Sequence, residues 1–163
     1  MAVLPYLEHT PTLGGNVRLA NDAVLVGKVS VAGPAAIESR AVLRGDQSWI
    51  GVGPRFHMGQ RATIHTEYGV PTQIGSDVWL GDDAVVHACT LGDGVRVEYA
   101  GLVLTGSSVG AGSIVAADTL VPEGTTFEPN SYISGTPGRR LRDTTPEERA
   151  ETMARLHAVL GPG

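Results

Sequence analysis

An apolar residue returns at every sixth position along most of this chain, and few architectures can use that period. The anchors run Leu19, Leu25, Val31, Ile37, Leu43, then Val52, Met58, Ile64, then Ile74, Leu80, Val86. From Leu91 they continue through Val97, Val103, Val109, Val115, Val121 and Phe127 to Ile133. The step is broken three times: between Leu43 and Val52, between Ile64 and Ile74, and between Val86 and Leu91. Four residues after most anchors stands a small or β-branched residue, such as Ala23, Ala41, Ala62, Ala84, Ser107 or Thr119. Glycine often follows the anchor directly, as at Gly53, Gly59, Gly81 and Gly92. A repeat of fixed period outranks local propensity in setting the architecture.

This hexapeptide pattern resembles that of the left-handed parallel β-helix, in which three six-residue units make one triangular coil. Anchors point into the prism and small residues fit the tight corners. The expected fold is therefore all-β, a left-handed parallel β-helix closed by a C-terminal α-helix. A sandwich of short strands has no reason to keep one register for so long. The 22 glycines and the 5% aromatic content suit a tight coil better than an aromatic-rich sandwich. One domain is expected over residues 1–163, with coils at 17–134 and a helix at 145–160. Residues 1–16 show no register, and Val3, Leu4, Tyr6 and Leu7 read as a hydrophobic cap, with His9 on the surface. Thr145, Pro146, Glu147 and Glu148 form a capping box with proline at the first helical position. Ala150, Met153, Leu156 and Leu160 follow at helical spacing as the face that lies along the coil, and Gly161 and Pro162 end the helix.

Counting the anchors in threes converts sequence into geometry. Leu25, Leu43, Ile64, Val86, Val103 and Val121 lie above one another on one face, about 4.8 Å apart as neighbouring strands are. The residues after them form a second column: Val26, Arg44, His65, His87, Leu104. Two histidines thus stack one coil apart with an arginine below, outside the prism, where they can share a metal ion. All three breaks in the period follow anchors of this column. Broken local rules gather at functional sites, which places the site at this corner.

Charge and cysteine content exclude some classes. A net charge of -5 is unsuited to a phosphate backbone, so no nucleic-acid partner is expected. The single cysteine, Cys89, allows no internal disulfide and reads as an apolar filler in a reducing compartment. No charged-then-apolar leader opens the sequence and no run reaches membrane-spanning length, so a soluble cytoplasmic protein without a membrane partner is expected.

Several elements together resemble the γ-class carbonic anhydrase family. They are Leu43, Arg44, Gly45 and Asp46 in a row, the run from Ala62 to His65, the run from Gly81 through His87 to Leu91, and Gly135, Thr136 and Pro137 before the helix. In that family three histidines bind zinc at the interface of a homotrimer, two from one subunit and one from its neighbour. The resemblance implies that His65 and His87 are the pair from one subunit. The third histidine's position holds Asp82. Asp82 follows Leu80, one face away, so its side chain cannot reach its own subunit's pair, and the resemblance implies that it serves a neighbour's. Carboxylate oxygen suits zinc, and iron or cobalt equally. Arg44 and Asp46 match the residues that link subunits by an ion pair near the metal. Where the family has an asparagine and a glutamine around the anchor matching Met58, this chain has Gly59 and His57, which is a candidate proton relay, a replacement ligand or a plain surface imidazole. Gln60 lies one residue out of register and shares Asp82's column, with Tyr99 one coil above. Glu67 and Tyr68, in the loop after His65, face the same pocket and are candidates for handling substrate or protons. Trp49 and Trp79 either pack an interface or touch substrate.

The resemblance implies a metal-dependent lyase or hydrolase that activates water or a small carbonyl substrate, with carbon dioxide hydration weak or replaced by another reaction. Two alternatives remain. A hexapeptide acyltransferase would use a histidine base and hold coenzyme A phosphates with Arg139, Arg140 and Arg142. A catalytically silent trimer would serve as an assembly subunit.

Overall fold

The computed structural model describes residues 1–162, which form a parallel β-solenoid of about seven coils and one C-terminal helix. The anchor columns are the register. Leu25 pairs with Leu43, Leu43 with Ile64, Ile64 with Val86, Val86 with Val103, and Val103 with Val121. None of these six anchors is exposed at all. Burying each such side chain stabilises the fold by about 1.5–3 kcal/mol. The small residues behind them, Ala23, Ala41, Ala62 and Ala84, are equally enclosed. Three faces result, here A (the histidine column), B and C in chain order. Val24–Val31 and Val42–Val52 bend from A into B without leaving strand geometry, so these faces share a 12-stranded sheet, while C is a separate 8-stranded sheet.

The corners need left-handed backbone. Three residues past the anchors of face C, Arg40, Arg61, Asp83, Ala100 and Asp118 all have φ between 55° and 59°. Arg61 and Asp83 stack in this column as an ion pair of 2.8 Å. At Gly59 the constraint is space. A Cβ there would lie 2.6 Å from the backbone nitrogen and Oδ1 of Asp82, so the position has no room for the family's glutamine.

Side chains just before the anchors point outward and give each face its character, because strand residues alternate. On A they are Val24, Val42, Thr63, Val85, Leu102 and Leu120, an apolar ladder. On B they are Ser30, Gly51, Gln73, Thr90, Ser108 and Thr126, a polar one. On C, the column Ala36, His57, Trp79 and Arg96 is capped by the helix.

Residues 1–16 are more than a cap. Ala2–Leu4 pairs in parallel with Val24–Val31, Val3 beneath Leu25, and Leu13 lies beneath Val31. The first coil therefore hides a fourth break, Val3 to Leu13, equal in length to that between Ile64 and Ile74. Both loops close by the same kind of antiparallel bridge, Tyr6 to His9 and Glu67 to Val70.

At the other end the chain does not simply leave the prism. Ser131–Gly135 turns into Gly138–Asp143, the one antiparallel strand pair among the described residues. Helix α1 (Pro146–Leu160) starts at Thr145, whose capping box with Glu148 is complete. Its docking face differs in part from the expected one. Leu156 is buried, Leu160 is half-buried and the tip of Met153 lies near Gly94 as expected, but Ala150 is exposed and Thr152 is buried instead. Ion pairs do much of the docking. Arg96 meets Glu98 at 2.9 Å and Glu151 at 3.3 Å, and Arg155 meets the same two acids at 3.1 and 2.6 Å. Among the described residues no helix is long and apolar enough to cross a membrane.

Candidate metal centre

His65 ends Thr63–His65 and His87 ends Val85–His87, and the two are direct parallel partners. Since Ile64 and Val86 point inward, their neighbours must point out. The imidazole centroids lie 5.1 Å apart with planes tilted by 44°. Arg44, the partner on the coil below, brings Nη2 to 2.9 Å from His65 Nε2. Asp46 Oδ1 lies 3.1 Å from the same nitrogen, and its other oxygen is 3.5 Å from Arg44 Nε. Val42, Thr63 and Val85 complete a shallow pocket around Arg44 and the two histidines. A larger hollow of about 500 Å³, lined by His9, Lys28 and Trp49 among others, lies lower on face B and contains neither histidine of the pair.

Electrostatics set the charge state of the His65–Asp46 pair. Burial lowers the pKa of His65, and the hydrogen bond to Asp46 only partly opposes it. Burial pushes Asp46 upward, but the His65 hydrogen bond, a backbone N–H and the Arg44 charge together hold it below its ordinary value. Near neutral pH the pair is therefore a neutral imidazole beside a carboxylate. His87 Nδ1 lies 2.9 Å from Thr105 Oγ1, which is 2.7 Å from Glu67 Oε2. Thr105 escaped the sequence reading: it lies 38 residues from Glu67 and belongs to no motif.

The other candidates fall elsewhere. Tyr68 stands 88% exposed at the tip of the loop that carries Glu67. Gln60, Asp82 and Tyr99 gather where face C turns into A, at the opposite end of face A from the histidines. Asp82 Oδ1 accepts the Gln60 backbone N–H at 2.8 Å, as Asp93 Oδ1 accepts that of Ser76 at another corner. That role is structural and leaves one carboxylate oxygen for an outside partner. The surface reading of His57 is corrected: it is buried on face C, apart from the His65–His87 pair. It is 6% exposed, stacked at 3.7 Å on Trp79, with Nδ1 buried and unpartnered. Arg155 of the helix lies over the same Trp79 ring at 5.7 Å. Trp79 thus packs the helix, while Trp49 lies against Gly51. Cys89 is buried and its thiol is pushed up to about 12 by burial, as befits a filler.

The donor set suits a metal ion. Imidazole nitrogens on adjacent coils are ligands that zinc, iron and cobalt accept. Among the described residues of one chain no group of three or more His, Cys, Asp or Glu side chains is placed to hold a metal ion.

A parallel coil with hexapeptide anchors and a C-terminal helix defines the class: hexapeptide-repeat left-handed β-helix proteins. A solved structure of a putative acetyltransferase from Bacillus cereus superposes with a TM-score of 0.94 at 26% identity, covering 98% of this chain and 92% of that one. No family model matches the sequence. It is 37% identical over 133 residues to a probable carbonic anhydrase of Methanocaldococcus jannaschii, covering 82% of this chain and 84% of the relative. It is 29% identical over 153 residues to protein YrdA of Escherichia coli, covering 90% and 83%. The chain belongs to the γ-carbonic anhydrase-like family of hexapeptide-repeat proteins.

Proposed function

We propose that the protein is a metal-dependent lyase or hydrolase whose zinc site is shared between subunits of a homotrimer. His65 and His87 supply two ligands, and Asp82 of a neighbouring subunit supplies the third. The observation that carries this reading is the register of the two histidines, on adjacent coils of a chain that belongs to this family. The apolar ladder of face A supports the assembly, since an outward row of Val42, Val85, Leu102 and Leu120 calls for a covering surface. The position of Asp82, at the far end of that face with one oxygen uncommitted, supports the sharing.

A divalent metal in such a site acidifies water and polarises a carbonyl. The chain's own groups orient and hold. In a lone chain Asp46 and Arg44 occupy His65 Nε2, and Arg44 neutralises Asp46. In the trimer both turn toward the neighbour, which frees His65 Nε2. Glu67 holds a carboxylate at the rim, placed to take a proton from substrate or water. Carbon dioxide hydration is weak or replaced by attack on another small carbonyl compound. A carboxylate stands where the family has its third histidine, and Gly59 has no space for the amide that orients the nucleophile.

Acyl transfer is less well supported. The arginines that would hold coenzyme A phosphates are largely engaged: Arg140 pairs with Asp143, and Arg142 pairs with Glu148 and covers Tyr132. Elemental analysis of the purified protein, with sedimentation, tests the proposal. One metal per subunit in a trimer is expected, lost in His65→Ala and His87→Ala without unfolding. A monomer that takes up no zinc, iron or cobalt overturns it.

A further inference from the structure

The two histidines are not equivalent. His65 meets charged groups at Nε2, whereas His87 is engaged at Nδ1 by Thr105, whose hydroxyl also reaches Glu67. A carboxylate only accepts hydrogen bonds, and a threonine hydroxyl has one proton. That proton is committed to Glu67, so His87 Nδ1 can bond to Thr105 only by donating its own. We propose that Glu67 and Thr105 lock the tautomer of His87, keeping Nδ1 protonated and Nε2 bare as the lone pair offered to a metal ion. The ligand role rests on the function proposed above; the lock itself does not. Fixing the ring of a ligand through its second nitrogen is a general device of metal sites.

The fold supplies the reach. The loop after His65 is drawn tight by reciprocal backbone bonds between Glu67 and Val70, at 3.2 and 2.9 Å, and by Thr72 Oγ1 donating to the His65 carbonyl at 2.6 Å. This lifts the Glu67 carboxylate past the His87 coil to Thr105 on the next. The first coil provides an internal control. Its loop closes with the same bridge, but Tyr6 stands where Glu67 does and Leu4 where His65 does. The loop shape is therefore general to the corner, while the acid belongs to the histidine coils.

Nitrogen NMR of the histidine-labelled full-length protein, zinc-free and zinc-loaded, reads the tautomer directly, and chelator competition reads zinc affinity. Wild type should show His87 protonated at Nδ1 and bare at Nε2 when zinc-free. Thr105→Val removes the partner, and Glu67→Ala, an exposed change that spares the core, frees the threonine proton. Both should mix the tautomers. Zinc binding should weaken by about 10- to 100-fold in both, and Thr105→Ser should stay within about threefold of wild type. A wild-type ring protonated at Nε2 overturns the lock, as does a Thr105→Val protein with unchanged tautomer and zinc affinity. Should the tautomers follow the expected pattern in a protein that takes up no zinc, the lock stands and the metal reading alone fails.

Discussion

His57 shows how a single residue is reassigned by its surroundings. Burial drives its pKa down to about 4, from the usual 6.5, so the folded state holds it neutral. As pH falls from 6.5 the unfolded chain takes up this proton first, so stability drops with pH down to about 4 and levels off below it. His57→Phe keeps the stack on Trp79 without the titration. Denaturant unfolding should show a loss between pH 7 and pH 4 smaller than wild type's by roughly 1–3 kcal/mol. Equal losses would show that His57 does not titrate between the two states. Gly59 carries the opposite lesson. Gly59→Gln, the substitution that most nearly restores the family pattern, should lower the melting temperature rather than raise activity, because its Cβ meets Asp82 backbone. Column counting placed Arg44, His65 and His87 together, and the family resemblance added Asp46. Sequence alone missed Thr105 and misplaced His57, because a loop's reach and the face a helix will cover depend on tertiary contact.

Among the elements, the coils were legible and the docking of the helix was not. The capping box is local in sequence and was read from it, and the structure contains it. The docking face of α1 was read from apolar spacing, yet Arg96, Glu98, Glu151 and Arg155 do much of that work through charge. The N-terminal coil went unread because a single interrupted turn carries no repeat of its own. Glu148 joins two of these devices, bonding the Thr145 N–H at 2.8 Å and Arg142 at 2.7 Å. Those bonds, that to Arg142 foremost, lower its pKa to about 2 from 4.5. Its contribution is therefore complete above pH 4.5 and lost as pH falls toward 2. Glu148→Gln should melt earlier than wild type at pH 7, with the gap closing as pH is lowered through that window. A gap independent of pH would assign the effect to packing instead of charge.

At the scale of the whole molecule, the three faces have three fates written in the residue before each anchor. Face B is polar and meets water, face C is covered by α1, and face A is an apolar ladder between the Asp82 corner and the histidine corner. Under the proposed function, two ligands stand at one end of this apolar face and one at the other, so copies of the chain complete the set. Anomalous diffraction at the zinc edge, from crystals of the zinc-loaded protein, tests this most directly. The account predicts one peak per subunit at about 2.0–2.2 Å from a nitrogen of His65, a nitrogen of His87 and an oxygen of Asp82 from a neighbouring chain. Zinc-loaded crystals with no peak at His65 and His87, or a peak whose ligands all come from one chain, would contradict it.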